Sequence, residues 1–368
     1  MENDDLAAAL ADSATSFIAD RYGARKLRLD ITEAQHVDRG VWAEMAGLGW
    51  LGLALPESLD GLGMGMREAA TLAEIMGRKA VPEPFVAAAV MPSVLLSRCA
   101  PGPLVKTAAA AIAGGQRLVT LAWQEAAGEL DLSAQSTRFT AGRLSGAKCL
   151  VPIVEDDTLL LVFAKGEKGT VLLAIEANAK GVSVKRQAGG LMAMATVTFD
   201  GAPVIEATPL IAGEEAEAAL KCALQAGRVA TAAQLTGIAA GALEKTLNYV
   251  RDRVQFERPI GSFQTIQHRC VDHYTAILLA GASWRNAQRA FDADPLATAA
   301  TAAASAAKAR GGDAAMQICR ASVQMHGAMG FTEEGGVGLY LRAAMQLSTW
   351  LGNSVAHRQR FVAATAQG

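Results

Sequence analysis

The residues best able to do chemistry lie in VRDRVQFERPIGSFQTIQHR, Val250–Arg269. Arg251, Arg253 and Arg258 gather where a helix should end at a Pro-Ile-Gly turn, and Gln264 and Gln267 follow on the next helix. An arginine fork beside amide donors suits a pyrophosphate and a ribityl or adenine edge. The same arginines equally suit a helix C-terminus, where cations meet the negative end of the macrodipole. A second stretch, QMHGAMGF (Gln324–Phe331), carries small residues that let another backbone, or a ligand's phosphates, approach closely. Each stretch alone is weakly specific; together, in this order, they are specific.

Other patterns carry less. The GLGMG run (Gly61–Gly65) shows no convincing strand before it, helix after it or third glycine at the fixed spacing of a dinucleotide fingerprint, and reads as a loop. There is no GxxxxGK[ST] phosphate loop and no GxSxG nucleophile elbow. His268 and His273 are five apart on an expected helix and point about 140° away from each other, so they are poor co-ligands and no metal is expected. Asp156 and Asp157 read as a solvated turn.

The elements that must position these residues fall into three parts. Residues 1–115 read as helices, with apolar side chains at three- and four-residue steps (Leu10, Phe17, Ile18; Trp42, Met45) interrupted by the Gly- and Pro-bearing Leu55–Met66 and Val81–Phe85. Residues 116–212 carry short β-like runs (Arg117–Trp123, Asp157–Ala164, Thr170–Ile175, Gly181–Lys185, Ala195–Asp200) spaced as in a small antiparallel β domain. Residues 213–368 are helical again, and Ala297–Arg310 is nearly pure alanine, suiting a helix packed closely against others.

Composition narrows the function classes. The chain has 368 residues, 51% hydrophobic and 19% charged, which excludes wholesale disorder. With 34 basic and 36 acidic side chains and a net charge of −2, it has neither the basic footprint of a nucleic-acid binder nor a polybasic membrane patch. Five scattered cysteines (Cys99, Cys149, Cys222, Cys270, Cys319) without a CxxC pair argue against a disulfide framework or structural zinc. The acidic MENDDLAAAL start is unlike a signal peptide, and no apolar run approaches the ~20 residues of a membrane span. A cytoplasmic chain with no nucleic-acid or membrane partner is the expectation.

On these motifs the chain resembles the acyl-CoA dehydrogenase family over nearly its whole length. Gly47–Gly65 and Gly77–Phe85 look like that family's N-terminal helical domain; R-x-QF-x-RPI-x-x-FQ (Arg253–Gln264) and QMHGAMGF look like its C-terminal domain. The resemblance implies an α+β, mostly α fold: an N-terminal helical domain, a middle β-barrel domain and a C-terminal four-helix-bundle domain. It also implies FAD as cofactor, oxidation of an acyl-CoA to a trans-2-enoyl-CoA, and an electron-transferring flavoprotein as acceptor. In this family the flavin lies at a subunit interface, so Arg253, Gln255, Phe256, Gln264, Gln324 and Gly327 are expected to reach the FAD of a neighbouring subunit. Glu257 stands where the family usually has glycine.

Two departures concern the chemistry. The reaction needs a carboxylate to take the α-proton, and the family places it at one of two positions. Those positions read Leu351, in STWLGNS, and Gly227, before Arg228. Neither can accept a proton, so no catalytic residue is expected on this chain. Asn353 stands where a flavin-contacting threonine would be. In the β domain, Ala122–Asp131 and Gly146–Val154 correspond to the flavin-contacting stretches, without their serine or their tryptophan–threonine pair, while Lys148 survives as part of a turn. These gaps suit the base-less subunit of a heterotetrameric α2β2 enzyme, completing in trans the FAD site of a catalytic partner. Relatives of that kind act on CoA esters of steroid side chains. The alternatives are a self-sufficient homotetramer with its base relocated to Glu125, Glu129 or Glu333, and a flavin-free scaffold or acyl-CoA-binding protein. Gly189, Gly190 and Ala226 are compatible with room for a bulky acyl group and equally with close packing.

Overall fold

The computed structural model describes residues 2–22, 37–132, 135–187 and 190–366. Helices run to Gly114, the strands of one sheet lie between Val119 and Ala212, and helices resume at Glu214. Two compact units emerge: Met1–Leu29, Met66–Val81 and Arg228–Gly368 form one, and Asp30–Gly65 and Pro82–Gly227 form the other.

The first unit is helical: α1 (Glu2–Arg21), α3 (Met66–Arg78), the greater part of α6 (Glu214–Asp252), α7 (Gln264–Ala293), α8 (Thr298–His326), α9 (Val337–Thr349) and α10 (Ser354–Thr365). The crossing of α3 with α6 is set by glycine. A β-carbon on Gly77 would land on the Gln234 carbonyl oxygen, one on Gly237 on that of Glu74, and one on Gly241 on that of Arg78. Three bare Cα positions let two backbones meet where any side chain would force them apart. The Tyr340 hydroxyl then donates to the Arg78 carbonyl at 2.8 Å, satisfying an orphan acceptor at the end of α3. The alanine-rich stretch is the first half of α8, which packs on α7, α9 and α10 and buries Ala300, Ala304, Ala307 and Ala315. Its small side chains thus serve close packing within the chain.

The second unit holds α2 (Arg39–Gly47), α4 (Met91–Leu96), α5 (Pro103–Gly114) and the sheet. Asp38 caps α2, accepting from the backbone N–H groups of Gly40 and Val41, both at 3.1 Å. Proline opens α5 and Gly115, at φ 63°, closes it. The sheet comprises β1 (Val119–Ala122), β2 (Arg138–Thr140), β3 (Arg143–Pro152), β4 (Leu159–Gly166), β5 (Gly169–Glu176), β6 (Val182–Gln187), β7 (Met194–Pro203) and β8 (Ile211–Ala212). Strand order is β6-β7-β3-β2-β4-β5-β8, with β1 beside β4. The expectation of a purely antiparallel arrangement needs correction: β1 runs parallel to β4, pairing Val119 with Leu159 through Ala122 with Val162. Leu144, Leu160, Val162, Leu173, Ile175, Val197 and Phe199 form the core beneath it.

Among the described residues, no helix is long and apolar enough to cross a membrane.

Candidate functional site

Helix α6 runs straight into the arginine–glutamine motif. Its last turn is followed by β9 (Val254–Gln255) and β10 (Arg258–Pro259), which pair Gln255 with Arg258 and Val254 with Pro259. The two-residue tip, Phe256 at φ 54° and Glu257 at φ 63°, is left-handed at both positions. That is the primed turn that favours glycine, so two side-chain-bearing residues there are strained. The Ile260 N–H donates to the Arg253 carbonyl at 2.8 Å and closes the hairpin. Phe256 and Phe263 meet edge-to-face at 6.1 Å, and the Arg258 guanidinium lies 4.3 Å over the Phe263 ring.

The second motif comes to the same end of the bundle because α6 and α8 are pinned there. Tyr249 stacks on His326 with centroids 4.2 Å apart, and its hydroxyl donates to the His326 carbonyl at 3.2 Å. The structure therefore gathers the six expected cofactor residues. Arg253, Gln255 and Phe256 occupy the hairpin, Gln264 opens α7, and Gln324 and Gly327 end α8. All six are exposed, Phe256 at 84%. Phe331, just beyond, is 86% exposed. Among the described residues, the side chains of Arg253, Gln255, Gln264 and Gln324 make no hydrogen bond within the chain. A guanidinium and three amides, all outward and all uncommitted, fit an anionic dinucleotide in chemistry.

The base positions are different. Gly227 is buried in α6, and Leu351 sits at φ 60° in the turn between α9 and α10. The Leu351 carbonyl accepts from His357 Nε2 at 3.0 Å and Arg228 Nε at 3.5 Å, while Lys308 Nζ donates to the carbonyls of Ser348 at 3.1 Å and Gly352 at 3.0 Å. All three of these basic side chains are buried. Burial, with the Arg228 charge, brings the Lys308 ammonium down to about 7. Burial, with Lys308 and Arg228, brings His357 down to about 2, so the imidazole is neutral. The turn at Leu351, where the resemblance places a base, is thus walled by basic groups that hold its backbone. The side chain of Asn353 accepts from the Ala356 N–H at 2.9 Å and caps α10. Motif reading missed Lys308 and His357; the signal for Lys308 was a single cation on the buried face of an alanine-rich helix.

The relocated-base candidates are otherwise engaged. Burial raises the Glu125 carboxyl, but hydrogen bonds from Lys148, Ser136 and Thr137 outweigh it and hold it at about 2. Lys148 Nζ lies 2.6 Å from Glu125 and 3.2 Å from the Trp123 carbonyl. This lysine belongs to β3 and is buried; it is no turn residue. Glu129 accepts from the N–H groups of Glu125 at 2.9 Å and Ala126 at 3.1 Å. Glu333 is exposed. Of the small residues weighed for acyl space, Ala226 is buried in α6, Gly190 adopts φ 87°, and Gly189 lies outside the described residues.

Residues 4–100 match the N-terminal domain of acyl-CoA dehydrogenases, and residues 216–365 match the C-terminal domain. The chain belongs to the acyl-CoA dehydrogenase family. Members of this family are FAD-dependent flavoproteins that oxidise acyl-CoA substrates. The chain is 28% identical over 332 residues to acyl-CoA dehydrogenase FadE27 of Mycobacterium tuberculosis, a match covering 89% of this chain and 88% of that protein. Among solved structures it superposes on a variant of the Tcur3481–Tcur3483 steroid ACAD with TM-score 0.86 and 29% identity, covering 99% of each chain. The ChsE4–ChsE5 complex from Mycobacterium tuberculosis, at 24% identity and TM-score 0.86 over 98% of this chain and 97% of that one, shares the fold.

Proposed function

We propose that this acyl-CoA dehydrogenase chain is the base-less subunit of a two-chain enzyme. It lends Arg253, Gln255, Phe256, Gln264, Gln324 and Gly327 to FAD held at the interface with a catalytic partner. The observation carrying this reading is a pairing within one chain. An uncommitted donor array is kept exposed on and beside a strained hairpin, while Leu351 and Gly227, where the resemblance places a base, lack a proton acceptor. When bound, FAD takes up the electrons of α,β-dehydrogenation, and an electron-transferring flavoprotein removes them. This chain's own part is to bind and orient: the guanidinium holds pyrophosphate charge and the amides direct hydrogen bonds. Removal of the α-proton falls to a carboxylate of the partner.

An α2β2 assembly with one FAD per pair of unlike chains follows, working in the cytoplasm. A bulky acyl-CoA, such as a CoA ester with a steroid side chain, is favoured as substrate because the steroid ACAD is among the chain's similar structures. The self-sufficient homotetramer is weakened by the commitment of Glu125 and Glu129 within their own loop. A flavin-free scaffold gives no reason to keep Arg253 and three amides outward and unpaired.

The test is native mass and flavin-to-protein ratio for the chain alone and co-expressed with candidate partners. A flavin-poor chain brought by a partner to one FAD per heterodimer is the expected result. One FAD per chain in a homotetramer overturns the reading.

A further inference from the structure

The loop after β1 has the form of an anion site that the chain fills with its own carboxylates. Successive N–H groups of Glu125 and Ala126 converge on Glu129 Oε2 at 2.9 and 3.1 Å. Successive backbone N–H donors of this kind form a concavity that holds an anion, whether phosphate or carboxylate. A second pair, the N–H groups of Ser136 at 2.6 Å and Thr137 at 3.0 Å, converges on the carboxylate of Glu125. Lys148 Nζ completes that carboxylate's shell at 2.6 Å, and Gln124 Nε2 ties the loop to the Ala126 carbonyl at 3.0 Å. The Cys149 N–H donates to the Gln124 carbonyl at 2.8 Å, fastening the loop to β3. Just past that point, β3 slips register against β7 between Lys148 and Val151, with Leu150 at φ 51°. The distortion turns β3 at the place where the loop is fastened to it.

These four donors do not suit a cofactor: the N–H groups of Glu125, Ala126, Ser136 and Thr137 are each taken by a carboxylate of the chain itself. We infer that Glu125 and Glu129, clamped by Lys148, are an internal plug that bars this chain from holding a flavin of its own. The plug determines which subunit of a mixed pair carries the cofactor. The inference rests on the in-trans reading, since a chain that lends its hairpin outward has no flavin to place against its own loop. Carboxylates satisfied by the fold also keep the loop ordered without a cofactor, which a flavin-holding loop would lack in its apo state.

Amide hydrogen exchange on the intact complex tests this, read with FAD bound and after flavin removal. Amides of residues 124–130, 136 and 137 should show the same protection in both states. Glu129→Ala should speed exchange at Glu125 and Ala126 by about tenfold or more, the scale of a lost charge-assisted hydrogen bond, with flavin content unchanged. Glu129→Gln, which keeps one acceptor, should fall between. Loop amides that gain protection when FAD is added, or unchanged exchange in Glu129→Ala, overturn the plug. Failure of the in-trans reading shows elsewhere: Arg253→Ala would then leave flavin content intact, whatever the loop amides do.

Discussion

Arg253 is the residue on which the in-trans role is most directly exposed to test. Truncating one charge-assisted contact typically costs about 1.5–3 kcal/mol, roughly one to two decades in affinity. Arg253→Ala should therefore weaken FAD retention by the complex about ten- to hundredfold, read by fluorescence titration of released flavin, with native mass unchanged. Retention equal to wild type would remove Arg253 from the site. Lys308 offers a second residue-scale test through pH. Its folded value near 7 lies below the ordinary 10.5. Between the two, the unfolded chain binds more protons than the folded one, so stability rises with pH across that window and is lowest below it. Lys308→Met should remove this slope. The difference between wild type and variant in unfolding free energy, measured by denaturant titration from pH 7 to 9, should change by on the order of a few kcal/mol. A parallel pair of curves would mean the buried amine stays charged.

The α3–α6 crossing and the hairpin make opposite predictions for glycine. At Gly237 a methyl group meets the Glu74 carbonyl oxygen, which is backbone and cannot swing aside. Gly237→Ala should separate the helices, cost about 1–3 kcal/mol and lower the melting temperature by several degrees. At the hairpin tip glycine is the residue that is missing. Glu257→Gly should relieve a left-handed side chain worth about 1 kcal/mol and slow amide exchange at Arg258 about fivefold. The strain is localised at Phe256 and Glu257, the exposed tip of the hairpin. If exchange in Glu257→Gly is unchanged, the tip is already relaxed in solution.

At the scale of the whole molecule, the outward donors and the absent base make one statement about stoichiometry. On the in-trans reading, a chain that lends half of one shared site and holds none of its own should carry flavin only in mixed assemblies. Co-expression should give one FAD per unlike pair, and separation of the subunits by mild denaturant should release flavin together with the dissociation of the pair. Flavin that stays with this chain after separation would show that it holds a complete site.

Much of this was legible in the chain alone, because chemistry was written in contiguous motifs. The Arg253–Gln264 and Gln324–Phe331 stretches are short, and each keeps its donors close in sequence. The absence of a carboxylate at Leu351 and Gly227 is likewise a matter of residue type. The helical segments followed from three- and four-residue apolar spacing, which local backbone geometry enforces. Tertiary structure alone decided what long-range pairing controls. That β1 runs parallel to β4 depends on partners far apart in the chain. That Lys148 pairs with Glu125 depends on the loop after β1 meeting β3, and motif spacing could not distinguish it from a turn lysine. The enclosure of Leu351 by Arg228, Lys308 and His357 brings three helices to one turn, and burial shifts their proton affinities in ways residue type cannot announce. Side-chain type determined that Leu351 and Gly227 carry no carboxylate; packing in three dimensions determined which basic groups surround Leu351.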